Sequence, residues 1–204
     1  MVELLVDFIT SLDGYGAAEG WPGWWGQEGP EYLAWLNDQP EGDYTILMGA
    51  NTYRLMYEFA SNAEASNKED GMDNEDAANN SLTNTSKIVF SSSLESPLSW
   101  ANSQLISEDA IEAVRKLKEE ADTPMRTIGS VKLCRSLLEA GLVDRFRVVV
   151  FPVITGKTGR DRIYDNYPDV ALDLINSQLF DGSIQLLEYV PRVLSNPPGI
   201  QAES

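Results

Sequence analysis

The chain has 204 residues, 32 of them acidic and 15 Lys or Arg, with no histidine and one cysteine, so its formal net charge is -17 and its pI about 4.2. That length suits one domain, and a hydrophobic share of 43% is enough for a core. Lack of histidine excludes Ser-His-Asp and Cys-His catalysis and leaves a transition-metal centre only carboxylates, so no metal is expected; the negative field, with no basic stripe against it, excludes nucleic acid and an anionic membrane surface as partners.

In chain order, residues 2–9 form a first strand whose Glu3 and Asp7 sit inside an apolar run with no basic segment before it, which reads as neither a leader nor a membrane span. A helix over 30–36, a strand over 44–48 and a helix over 52–59 follow, an α/β alternation. Residues 61–84 interrupt it: Glu64, Glu69, Asp70, Asp73, Glu75 and Asp76 face only Lys68 among few apolar side chains, a solvated acidic loop. A calcium loop is the sharper reading of Asp70, Asp73, Glu75 and Asp76, but their spacing does not fit the EF-hand pattern. The alternation resumes with a strand over 87–90 and a helix over 107–121. That helix is capped by Ser107, places Ile111, Val114, Leu117 and Ala121 on one stripe, and pairs Glu112 with Lys116. A strand over 125–128, a helix over 131–140 ended by Gly141, and a strand over 146–153 complete this part. Strands over 170–180 and 184–190 flank Asp181-Gly182, a hairpin turn. One domain over 1–191 is expected, with a frayed tail over 192–204. Cys134, in an apolar helical segment, reads as an inert buried thiol, and a single thiol suits a reducing, cytoplasmic setting.

Chemistry is expected where strands end. The strand over 44–48 runs into Gly49-Ala50-Asn51-Thr52, that over 87–90 into Ser91-Ser92-Ser93, and that over 125–128 into Gly129-Ser130. In a parallel sheet these carboxyl ends share one edge, where ligands bind, and a helix N-terminus offers N–H groups and a positive dipole to phosphate. Gly49 and Gly129 permit close backbone approach, and Thr52 and the serines can hydrogen-bond phosphate oxygens; the same residues also suit plain turns.

These segments occur in order with Ser11-Leu12-Asp13-Gly14, Leu137-Leu138-Glu139-Ala140-Gly141-Leu142-Val143-Asp144 and Pro152-Val153-Ile154-Thr155-Gly156. Together they resemble the dihydrofolate reductase-like family, in the branch of the C-terminal reductase domain of the bifunctional riboflavin-biosynthesis deaminase-reductase. The resemblance covers residues 1–190. It implies a three-layer α/β/α fold with a mixed, mostly parallel central sheet and a C-terminal antiparallel hairpin. It further implies an oxidoreductase that binds NADPH, with NADH the second candidate, passes hydride to a pterin- or aminopyrimidine-like heterocycle, and forms a homodimer. Carried over residue by residue, Gly49, Asn51 and Thr52 form the first phosphate turn, Ser91 and Ser92 lie on the adenosine-ribose side, Gly129, Ser130 and Val131 form the pyrophosphate turn, and Lys132 meets a 2′-phosphate.

The chain departs from the family pattern in three places. Ala50 stands where NADPH-dependent relatives carry Arg, and Gly-Ser replaces Gly-Gly at residues 129–130. Tyr32 takes the place of the family's helix carboxylate, leaving Glu31, one residue and about 100° away on the helix, as the candidate acid. Asp13 is a second catalytic candidate or a turn former. Trp24 and Trp25, on the segment matching the family's active-site loop, are candidates for stacking on the heterocycle or for plugging the core. Two classes therefore stand: a reductase, or a dinucleotide- or ligand-binding protein of the same fold with little or no turnover.

Overall fold

The computed structural model describes residues 1–20, 24–38, 43–66 and 82–199. Its main sheet comprises β1 (Leu4–Ser11), β3 (Thr45–Gly49), β4 (Lys87–Phe90), β5 (Ser103–Ile106), β6 (Met125–Thr127), β7 (Arg145–Phe151), β9 (Val170–Phe180) and β10 (Ile184–Val193), in the order β5-β4-β3-β6-β1-β7-β10-β9. The strands from β5 through β7 are parallel; β10 runs antiparallel to both of its neighbours. Two short strands, β2 (Tyr15–Ala18) and β8 (Gly159–Arg162), pair separately. Helices α1 (Pro30–Asn37), α2 (Ala50–Ser66), α3 (Ala110–Glu120) and α4 (Val131–Glu139) cover the sheet, giving the expected three layers and C-terminal hairpin.

Strand alternation sorts the core. Leu4, Val6, Phe8, Leu47, Phe146 and Val148 point one way and pack with Val114, Cys134 and Leu137 of α3 and α4. Their neighbours point the other way: Val149 and Phe151 pack with Tyr32 of α1, and Ile46, Met48 and Val89 with Tyr53 and Ala60 of α2. Asp144, in the Leu-Val-Asp element, fixes the far edge: it accepts the Leu4 N–H at 2.7 Å and pairs with buried Lys118, which also donates to the Leu142 carbonyl at 2.9 Å.

Local signals explain most boundaries. Gly141 has φ 64, its N–H bonds to the Leu138 carbonyl and that of Leu142 to Leu137, a Schellman end to α4. Asp181 and Gly182 both take the positive φ of a tight hairpin. The cap of α3 is Asp109, not Ser107: its carboxylate accepts the N–H groups of Ile111 and Glu112 at 2.9 and 3.0 Å, while β5 takes up the residues before it. Glu112 pairs with Arg115 rather than Lys116, which faces Glu120, both at exposed separations of 3.8 and 3.9 Å. The helix predicted to end at residue 59 continues to Ser66, so residues 61–66 are helical and not loop, as their Ala and Glu content favours. The acidic residues of the calcium reading lie outside the described residues. No described helix is long and apolar enough to cross a membrane.

Candidate functional site

β1 pairs with β7 as far as Ser11 and Phe151, but with β6 only to Leu5 and Arg126. Beyond Thr127 the next residue, Ile128, bonds to Leu47 of β3 at 3.3 Å, so β6 stays with β3 and parts from β1. A crevice opens there at the carboxyl edge. The chain leaves β1 and β3 toward one face, to α1 and α2, and leaves β6 toward the other, to α4; such a reversal is where open α/β sheets hold ligands.

The turns at residues 49–52 and 129–130 meet at this edge. The Ser130 hydroxyl accepts the Gly49 N–H at 2.8 Å and donates to Thr52 Oγ1 at 2.8 Å. Ser130 takes the left-handed conformation, φ 65 and ψ 58, and Gly129 has φ 54. A Cβ on Gly49 would meet Ser130 Oγ at 3.6 Å and one on Gly129 would meet Thr52 Oγ1 at 3.6 Å, ordinary contact distances, so the two turns touch and it is the positive φ of Gly129 that favours glycine there. Cys134 seals the underside, its thiol against the Gly129 carbonyl at 3.0 Å; burial pushes that thiol up to about 12, which makes it inert.

Charge at the helix starts singles out the same edge. α1 and α3 carry Glu31 and Glu112 in their first turns, where an acid complements the helix dipole. α2 and α4 carry none, although acids outnumber cations twofold in the chain, and α4 instead has exposed Lys132 beside its N-terminus. A cation there opposes the helix dipole. Val131 opens α4, and Asn51, exposed on α2, accepts from Arg54 at 3.3 Å. Ser91 and Ser92 follow Phe90, which pairs with Gly49, so this loop stands one strand from the first turn; the Ser91 hydroxyl accepts the N–H groups of Ser93 and Leu94 at 3.1 Å. All three predicted strand ends thus line one edge.

The candidates near α1 hold the scaffold. Glu31 is exposed; its carboxylate accepts the Asp181 N–H at 2.6 Å, and the Asp181 carboxylate accepts the N–H groups of Glu31 and Tyr32 at 3.1 Å, clasping α1 to the β9–β10 turn. Gly29 is required there because a Cβ would strike the Asp181 carboxyl. Asp13 accepts from the Ser11 hydroxyl at 2.7 Å and the Thr155 N–H at 3.1 Å; desolvation opposes these bonds, which nevertheless hold its carboxyl below the usual range. It joins the turn after β1 to the loop after β7. Trp25 rests on Phe151, ring centroids 5.8 Å apart, as a core plug. Trp24 opens a one-turn 3-10 segment, and its side chain lies outside the described residues.

Sequence reasoning missed a buried ionic cluster beneath α1. Asp7 Oδ2 accepts from Arg126 Nη2 at 2.7 Å and Arg147 Nη2 at 2.8 Å. Burial pushes the Asp7 carboxyl up, but Arg147 and Arg126 outweigh it and hold the group below its ordinary value. Tyr32 lies within this field, its hydroxyl driven far above the usual range by burial and then by Asp7. Charged residues at strand positions inside apolar runs were the available signal.

A family model described as the RibD C-terminal domain matches residues 3–186. The chain belongs to this family. RibD from Acinetobacter baumannii superposes with a TM-score of 0.64 at 13% identity, over 94% of this chain and 58% of that one. The diaminohydroxyphosphoribosylaminopyrimidine deaminase/5-amino-6-(5-phosphoribosylamino)uracil reductase of Thermotoga maritima gives 0.61 at 19%, over 94% and 57%, and a pyrimidine reductase-like protein of Corynebacterium diphtheriae 0.58 at 16%, over 94% and 92%. The uncharacterized protein YyaP of Bacillus subtilis is 27% identical over 84 residues, 41% of this chain and 44% of that relative. The chain thus spans less than two thirds of the Acinetobacter and Thermotoga proteins, and membership of the RibD C-terminal family supports a reductase of the riboflavin-pathway kind.

Proposed function

We propose that the protein is an NAD(P)H-dependent reductase of a small flat heterocycle, pterin- or aminopyrimidine-like. The carrying observation is the pair of acid-free helix N-termini that meet across Gly49 and Gly129 at the crevice. The residues fit a dinucleotide: Gly49, Asn51 and Thr52 hold one phosphate, Gly129, Ser130 and Val131 the other, Ser91 and Ser92 the adenosine ribose, and Lys132 a 2′-phosphate. The reduced nicotinamide supplies hydride when bound. The chain's own part is to orient and enclose, with Trp24 the stacking candidate on the loop and with Asp13 and Glu31 as positioning residues. A second reading, binding with little turnover, draws on Ala50 and on the Ser130 hydroxyl already satisfying the Gly49 N–H.

Titration with NADPH and NADH, followed by tryptophan fluorescence, tests this directly. NADPH is expected to bind saturably, and Lys132→Ala to weaken NADPH about tenfold while sparing NADH, the signature of one charge-assisted phosphate contact. Absence of binding at millimolar concentration overturns both readings; binding without cofactor oxidation by any pterin or aminopyrimidine favours the second. A homodimer is part of the proposal: the eleven-residue edge strand β9 carries a single charge, Asp173, and exposes Leu172, Leu174 and Leu179, a neutral face on which copies of net charge -17 can meet. Sedimentation should give twice the 22.6 kDa chain mass, and Leu174→Lys should give the monomer.

A further inference from the structure

Serine is a preferred helix cap because its hydroxyl can accept an N–H of the first turn. Ser130 stands at the N-cap of α4 and does not act in this way. Its hydroxyl makes no bond to its own helix and reaches instead across the edge to the other turn, accepting the Gly49 N–H and donating to Thr52 Oγ1, both at 2.8 Å. Its backbone is strained as well. Among the described residues six positions other than glycine have a positive φ, and four of these hold Asn or Asp, the types that visit the left-handed region most readily. Ser130, at φ 65 and ψ 58, is one of the other two. Glycine would relax this turn, whereas serine keeps the strain and contributes a hydroxyl.

That hydroxyl occupies the place of a ligand oxygen. Gly49 lies directly before α2 and Thr52 in its first turn, which carries no acid. A phosphate oxygen at this edge would accept from the Gly49 N–H and the Thr52 hydroxyl, the same two groups that Ser130 engages. Gly49, Thr52, Gly129 and Ser130 are all half-buried, so none is sealed in the core. The helix behind them is fixed: Leu137 and Leu138 are in the core, and the Cys134 thiol lies against the Gly129 carbonyl at 3.0 Å. The part free to move is the hydroxyl, by rotation about one bond. Charge-assisted bonds to phosphate are stronger than those of a neutral hydroxyl, so an anion can displace it, but only by breaking bonds that the free protein already has.

We propose that the Ser130 hydroxyl is an internal latch, which stands in for a phosphate oxygen in the free protein and is displaced when a dinucleotide binds, so that residue 130 sets the affinity of the site. This deepens the reductase reading and rests on it. The test compares the native protein with Ser130→Ala and Ser130→Gly by titration with NADPH and NADH. Ser130→Ala lacks the latch and should bind NADPH about tenfold tighter, and Ser130→Gly should gain as much. The backbone strain is present with and without ligand and cancels from the affinity, so equal gains identify the hydroxyl. A gain by Ser130→Gly alone would assign the effect to chain freedom at residue 130 and overturn the latch. Amide hydrogen exchange reads the same contact without ligand: the Gly49 N–H should exchange about tenfold faster in Ser130→Ala than in the native protein, and unchanged exchange would show that no latch exists. NADPH binding that is unchanged or weakened in both variants, as a serine contacting phosphate directly would give, also overturns the proposal. Failure of all three proteins to bind either dinucleotide removes the reductase reading itself, whereas binding that the substitutions do not tighten removes only this inference.

Discussion

Beneath α3 and α4 the sheet presents Leu4, Val6, Phe8, Phe146 and Val148; beneath α1 and α2 the alternate positions of the same strands present Asp7, Arg126 and Arg147 beside Ile46 and Val149. Lys87 adds a fourth charge to the second face, donating to the carbonyls of Leu82, Thr83 and Thr85 at 2.7 to 3.1 Å below the Trp100 ring. Glu188, paired with Arg145, adds a fifth. One face is therefore held by transfer of apolar area, the other by apolar clusters interleaved with polar groups that must each find a partner. The second costs more to build.

The comparison can be broken at the triad first. Asp7→Asn leaves two buried guanidinium groups without their shared carboxylate and should cost about 3–5 kcal/mol by urea denaturation. Combining Asp7→Leu with Arg126→Met and Arg147→Met should recover most of that loss, and failure to recover would show that the polar face is needed for folding itself. The pH dependence has a definite sign. The folded pKa of Asp7 lies below its unfolded value, so its contribution is complete above that unfolded value, about 3.9, and is lost as pH falls through the depressed one; Asp7→Asn should flatten the acid limb of the stability curve.

On the apolar face, Leu137→Ala removes a fully buried side chain and should cost about 2–5 kcal/mol while leaving NADPH affinity unchanged. A change in affinity there would mean that the two faces are coupled through α4. The smallest effect belongs to the clasp at α1: Asp181→Ala unsatisfies the N–H groups of Glu31 and Tyr32 and should cost about 0.5–2 kcal/mol. Glu31→Gln should leave the pH profile of any turnover unmoved if Glu31 only clasps, and a shifted acid limb would restore it as a proton donor.

The amino-acid sequence by itself determined what is local. Alternation of apolar runs, the Gly141 stop, the Asp181-Gly182 turn and the glycines at residues 49 and 129 each follow from backbone freedom or periodicity within a few residues, and all appear in the fold. Where two local signals competed, as with Ser107 and Asp109, the strand at residues 103–106 settled the matter from outside the window. Tertiary structure alone decided the partnerships. Gly49 meets Ser130 across 81 residues, Asp7 meets Arg147 across 140, and Glu31 meets Asp181 across 150. A charge within an apolar strand announces that it needs a partner, because burying it alone is prohibitive; which partner it has depends on strand order, and strand order is set by how the sheet closes over both faces at once.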